Sequence, residues 1–145
     1  MLRQSEVILE HLEALGQYAA HLERFRAMSG EEFAADIEHV WAVEHGLQLC
    51  IQCVIDVCDH LVAQLCLGMA TTHPDAVELL CQAGVLPESL RPALTGMMRF
   101  RNILVHAYLH VDVDKVYDNL QTGLPDFAEF TRCVLEFLRR NGAEE

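Results

Sequence analysis

The 145-residue chain is predicted to be all-α, an antiparallel helical bundle, and three observations carry that expectation. Apolar side chains recur at alternating spacings of four and three over long runs, the mark of helix faces packed on other helices. Glycine (8) and proline (4) are sparse and fall mostly in a few breaks, which favours long helices over many short strands. Ser29 followed by Glu32 has the form of a capping box, a helix start written into the sequence. With 52% hydrophobic residues the chain can bury a sizeable core. No repeat, linker or low-complexity stretch divides it, so residues 1–145 read as one domain.

Taken in order, Ile8, Leu12, Leu15, Ala19, Leu22 and Phe25 predict a helix from Ser5 to about Arg26. A new segment starts at the Ser29 cap. The run Ile37, Val40, Glu44, Leu47, Ile51, Val54, Cys58, Leu61, Leu65 then predicts a long central helix over roughly 37–67, with Gly46 tolerated inside it at about 1 kcal/mol. Thr71–Pro74 reads as a loop and cap before a short helix, Ala76 to Ala83, ended by Gly84. Pro87 and Glu88 open a helix whose stripe is Leu90, Leu94, Met97, Arg101, Leu104 and Tyr108. After the turn chemistry of Val111–Asp114, a short helix is expected from Lys115 to Leu120. Gly123 and Pro125 are expected to break it before a last helix on Phe127, Phe130, Val134 and Phe137.

Composition narrows the function. A net charge of -12, with one lysine (Lys115) against nine arginines, excludes a broad basic surface for non-specific nucleic-acid binding. The N-terminus begins an amphipathic helix and has no signal-like apolar core, so a cytoplasmic location without a membrane span is expected. The six cysteines, four of them in the predicted central helix, then read as small buried hydrophobes. Leu47–Ala70 is the most apolar stretch, but Asp56, Asp59 and His60 interrupt it and mark a core helix.

Two charges interrupt the apolar stripes. Arg101 takes a position where an aliphatic residue is expected, and a guanidinium cannot discharge itself, so it must find an anion or a cleft. Glu44 occupies the equivalent place on the central helix. It either neutralises and orients Arg101 or stays solvated near an exposed helix end. On an ideal helix Arg101 shares a face with Tyr108, and Asn102 with His106, so Arg101 and His106 do not converge by themselves. Either the helix frays near Val105 or the site combines residues of two chains, an arrangement to which the long stripe is suited.

An arginine and a histidine brought to one phosphodiester have a clear task. An imidazole, ordinarily titrating near 6.5, can take the proton of a ribose 2′-hydroxyl or return one to the leaving oxygen. The guanidinium holds the phosphate and the charge that develops on it. The other candidates are weaker. Cys50 and Cys53 lie mid-helix without a second pair at zinc-site spacing, and Asp56 with His60 has the form of an ordinary helix-surface pair. No phosphate loop, nucleophile elbow or redox motif is present.

Arg, four residues, His, one residue, Tyr is the signature of HEPN-domain proteins. The wider text resembles their HepT-like toxins: Met98-Arg99-Phe100-Arg101-Asn102-Ile103-Leu104-Val105-His106-Ala107-Tyr108, then Val111-Asp112 and Val116-Tyr117. The central helix from Ala42-Val43-Glu44-His45-Gly46-Leu47-Gln48 through Ile55-Asp56 extends the likeness over most of the chain. The resemblance implies a homodimeric, metal-independent endoribonuclease without cofactor, the toxin of a toxin–antitoxin pair. Its partner would be an MNT-type nucleotidyltransferase antitoxin that silences it by transferring AMP to a tyrosine, with room for a larger hetero-assembly. By position, Arg101 and His106 are the catalytic pair, Asn102 orients the site and Tyr108 accepts AMP; Glu44 is added as a supporting residue from its place on the central stripe. The alternative is a non-catalytic helical subunit that binds nucleotide or substrate for a minimal nucleotidyltransferase, which the acidic balance favours. A bundle that only scaffolds partners is a third reading.

Overall fold

Six helices joined by short connections make up the computed structural model, which describes residues 2–106, 110 and 112–142. They are α1 (Leu2–Arg26), α2 (Gly30–Ala35), α3 (Ile37–Gln64), α4 (His73–Gln82), α5 (Arg91–His106) and α6 (Val113–Gly142). A single 3-10 turn, Glu88–Leu90, leads into α5. The architecture is the all-α bundle expected from the periodicity. Helix α3 packs against each of the other five and carries the centre of the core, with Leu47, Ile51, Val54, Val57, Cys58 and Leu61 fully buried. It is apolar and long enough to cross a membrane by composition alone, but most of its apolar window is buried inside the bundle.

The helix starts follow local chemistry. The Ser29 hydroxyl accepts from the Glu32 N–H at 3.1 Å and the Glu32 carboxylate accepts from the Ser29 N–H at 3.2 Å, completing the capping box. Asp36 ends α2 in an extended conformation and caps α3 through the Glu38 N–H at 2.9 Å. Thr72 and Asp75 form a second capping box, so α4 begins at His73, three residues before the expected Ala76.

The helix ends are more informative. In α4 the left-handed position after the cap is Gly84 (φ 79°). The N–H groups of Gly84 and Val85 bond to Cys81 O and Leu80 O, the Schellman arrangement. Helix α3 ends the same way, with Cys66 N–H to Ala63 O and Leu67 N–H to Val62 O, but the left-handed residue is Cys66 (φ 53°). The central helix therefore stops at Gln64, short of the expected 67. Cys66 is exposed outside it while the other five cysteines are buried.

The largest departure concerns the C-terminal third. The two helices expected on either side of Gly123 and Pro125 are one continuous helix, α6. Pro125 is exposed, so its ring and missing N–H fall on the solvent side. Val116, Leu120, Leu124, Phe127, Phe130 and Val134 meanwhile carry one buried stripe through the break. Burying that stripe outweighs the ~3 kcal/mol that an interior proline costs. The start of α6 is tied to the α1–α2 elbow: the Tyr117 hydroxyl donates to Met28 O at 2.6 Å and Gln121 Nε2 to Arg26 O at 2.8 Å. These bonds satisfy carbonyls left open at the end of α1 and fix where the chain returns from α5.

Candidate functional site

Helix α5 carries the residues of interest. Thr95 Oγ1 donates to Arg91 O at 3.0 Å within the first turn, and Arg91 is held by Glu88 at 3.2 Å and Glu78 at 3.6 Å. Leu94, Met97, Met98 and Leu104 are buried against α3, α4 and α6. Arg101 falls within the same arc, since residues three and four apart return to one face. It is half-buried, and its Nε is shielded from solvent with no hydrogen-bond partner. A permanent cation thus stands in an apolar seam with an open donor.

His106 is exposed and is the last residue of α5. The helix does not fray near Val105, so the first of the two expected routes to convergence is absent. Five residues of continuous helix place His106 about 140° round the axis from Arg101. Asn102 and His106 do share a face, and both are exposed. Tyr108, the expected AMP acceptor, lies outside the described residues.

The expected Glu44–Arg101 ion pair is not formed: among the described residues no ion pair or hydrogen bond joins the two. Glu44 lies on the border between the buried Val40, Val43 and Leu47 and the exposed Ile37 and Trp41 of α3. It is half-buried, and desolvation pushes its carboxyl above the ordinary value, with no cation among the described residues to offset it. Ile37 and Trp41 are exposed, the indole by 63% of its surface, which is high for the chain's one tryptophan.

Asn102 lines a groove of about 500 Å³ between α5, the end of α3 and the start of α4, together with Asp59, Thr71, Thr72, His73 and Arg99. Arg99 was not singled out by the periodic reading. Its signal is the spacing of Arg99, Asn102 and His106, three then four residues apart, which puts all three on one exposed stripe. A second, shallower groove of about 310 Å³ runs along the other side of α5 against α6.

The remaining candidates are structural. Burial raises the Cys50 thiol to about 12 and drives the Cys58 thiol higher still, so neither is poised to ligate or react. The Asp56 carboxylate accepts from Gln52 Nε2 at 2.8 Å and lies 3.5 Å from His11 Nε2, while the His60 ring packs on that of His11 at 5.5 Å. The pair thus serves the α1–α3 contact. Among the described residues no three His, Cys, Asp or Glu side chains are grouped to hold a metal ion.

Comparison with known proteins shows the family. The family model described as Ribonuclease HepT-like matches residues 8–134. The tRNA nuclease HepT of Aphanizomenon flos-aquae is 29% identical over 133 residues, covering 91% of this chain and 90% of that one. The mRNA nuclease HepT of Shewanella oneidensis is 33% identical over 105 residues, covering 72% and 79%. Among solved structures, a toxin–antitoxin crystal structure with AMP-PNP superposes with a TM-score of 0.83 at 25% identity, covering 90% of this chain and 98% of the other. The tri-AMPylated Shewanella oneidensis HEPN toxin in complex with its MNT antitoxin superposes with a TM-score of 0.81 at 26% identity, covering 90% and 97%.

Proposed function

The chain belongs to the HepT-like ribonuclease family, and from that premise we propose that it is the toxin of a toxin–antitoxin pair, cleaving RNA at a site shared by two copies. The observation that carries the reading is Arg101: a half-buried guanidinium in an apolar stripe, its Nε without a partner, one residue from the groove-lining Asn102. A cation so placed supports an anionic ligand that arrives from outside the protomer.

In the proposed reaction Arg101 holds the scissile phosphate. One His106 takes the proton of the ribose 2′-hydroxyl, the O2′–P bond forms and the P–O5′ bond breaks. The leaving 5′-oxygen receives a proton from the second His106, leaving a cyclic phosphate and a free 5′-hydroxyl. The chain's own nucleophile demand is met by the RNA, so no metal or cofactor enters these steps. Two His106 imidazoles at one phosphate require two protomers, and the divergence of Arg101 from His106 on one straight helix points the same way. The exposed Ile37 and Trp41 on α3, and Ile103 and Val105 on α5, support such an association. Asn102 orients the bound phosphate, and Glu44, beside Trp41, supports the joined surface.

The tri-AMPylated relative in complex with an MNT antitoxin, and the toxin–antitoxin structure with AMP-PNP, support a nucleotidyltransferase partner here. Tyr108 is the proposed acceptor. A phosphoadenylate two residues from His106 would set negative charge and bulk beside the cationic pair and compete with RNA phosphate for Arg101.

Cleavage of RNA in EDTA by wild type, Arg101→Ala and His106→Ala tests the site. Each substitution is expected to lower turnover by about 10²–10³-fold. Cleavage that survives both substitutions would remove the proposed site. Absence of cleavage by any form would favour the alternative that the net charge of -12 supports, a helical subunit presenting nucleotide or substrate to the nucleotidyltransferase. Intact mass after incubation with ATP and that partner, with Tyr108→Phe as control, tests the modification.

A further inference from the structure

We propose that the groove between α5 and the α3–α4 junction is an RNA subsite in which Arg99 grips the phosphate next to the one being cut. This rests on the ribonuclease reading above and assigns a binding role to a residue outside the motif.

The first argument is charge. In a chain of net charge -12, Arg26, Arg91, Arg132, Arg139 and Arg140 each face a carboxylate within 4.0 Å, and Arg24 lies over the Phe25 ring. Among the arginines whose side chains are described, from Arg24 onward, Arg99 and Arg101 alone have neither a carboxylate nor an aromatic ring against them. Both stand on α5, two residues apart. A surface this acidic has spent its other described guanidinium groups internally and left these two for an external anion.

The second argument is placement. Arg99 and Asn102 line the same groove of about 500 Å³, and Asn102 and His106 follow on the same stripe of α5. A chain of RNA that places one phosphate at the Arg101 and His106 site therefore runs along Asn102 toward Arg99. A groove of this volume accommodates one nucleotide. Across it lie the hydroxyl groups of Thr71 and Thr72 and the ring of His73, all able to donate to phosphate or ribose oxygens. Asp59, contributed by α3, repels phosphate from that side and leaves Arg99 as its seat.

The third argument decides between the two grooves that Arg99 borders. The one against α6 is walled by Ala93, Met97, Phe100 and Ile103; its Asn119 and Thr122 donate to the α6 carbonyls of Lys115 and Asp118 at 2.8 and 3.0 Å, and desolvation pushes its Asp126 carboxyl above the ordinary value. An apolar wall with a poorly solvated carboxylate, and with polar side chains already bonded to their own helix, offers little to a phosphate. The groove with Asn102 and the threonines does.

The test compares wild type with Arg99→Gln and Arg99→Lys. Cleavage is followed on a short single-stranded oligoribonucleotide, and binding by fluorescence polarisation on the same oligonucleotide blocked by a 2′-deoxy group at the cut. Arg99 is exposed, so folding is expected to be unaffected, and circular dichroism checks this. For Arg99→Gln the expected results are a KM and Kd raised about tenfold, kcat within about twofold, and a log Kd against log salt slope shallower by about 0.7. Arg99→Lys should recover most of the affinity. Unchanged Kd and salt slope in Arg99→Gln would overturn the subsite, even if Arg101→Ala abolishes cleavage and so upholds the ribonuclease reading. If wild type cleaves nothing, the ribonuclease reading fails by itself, and the polarisation measurement still judges Arg99. A defect in antitoxin binding alone, with RNA binding intact, would also overturn the proposal.

Discussion

Arg101 and His106 stand five residues apart on one unbroken helix, about 140° apart round its axis, one turned into the apolar seam and the other exposed at the helix end. A single protomer cannot aim both at one phosphorus without bending α5, and α5 is continuous through His106. The divergence is what makes a second copy necessary to the proposed chemistry. In the proposed pairing of two copies, the exposed Trp41 and the desolvated Glu44 of α3 would lie on the joined surface.

The buried Nε of Arg101 gives a stability prediction opposite in sign to the functional one. Leaving a buried donor unpaired costs about 1–3 kcal/mol. Arg101→Met keeps the length and apolar character of the stripe and removes that cost. It is expected to abolish cleavage while raising Tm by about 2–4 °C in calorimetry. A fall in Tm would show that the guanidinium is structurally paired.

Glu44 gives the pH dependence. Its folded-state carboxyl titrates above its ordinary value because of desolvation, so the folded chain holds the proton more tightly than the unfolded chain does. The neutral form therefore favours folding at low pH, and that contribution is lost as pH rises from the ordinary value of 4.5 through the raised one. Because Glu44 remains partly solvated, the effect is small. Glu44→Gln is expected to raise Tm by about 1–2 °C at pH 7.5 and by nothing measurable near pH 4. An equal gain at both pH values would assign the effect to packing.

Gly46 is favoured for a reason of space. A Cβ there would lie 2.6 Å from Leu22 Cδ2, and Leu22 is itself buried between α1 and α3. Gly46→Ala gains about 1 kcal/mol of helix propensity but meets an overpacking cost of about 1–3 kcal/mol. The net expectation is a lower urea midpoint, partly restored by Leu22→Val in the double variant. A stabilised single variant would mean that the helices separate freely.

The cysteines should divide sharply. At pH 8 a thiol reagent is expected to label Cys66 in the folded protein and the others only on unfolding, since burial keeps the Cys50 thiol protonated up to about 12 and raises Cys53, Cys81 and Cys133. Cys66 also holds a left-handed φ of 53° where α4 uses Gly84. Cys66→Gly should stabilise the fold by about 1 kcal/mol, read from the urea midpoint. No gain would mean that the Cys66 side chain makes a compensating contact.

Sequence alone was enough for the helical class, the capping box at Ser29, the core run of α3 and the anomaly at Arg101, because each is a matter of spacing and local chemistry along one stretch. The motif from Arg101 to Tyr108 was legible for the same reason. Local chemistry failed at Pro125, where the stripe from Val116 to Val134, packed on the other helices, holds α6 continuous through a breaker. It failed for Glu44, whose direction depends on how α3 is rotated against α1 and α5, and for Gly46, whose purpose is visible only beside Leu22. Arg99 gained meaning once α3 and the start of α4 closed a groove around Asn102. Periodicity says which residues share a face; only the packed neighbours say what that face meets.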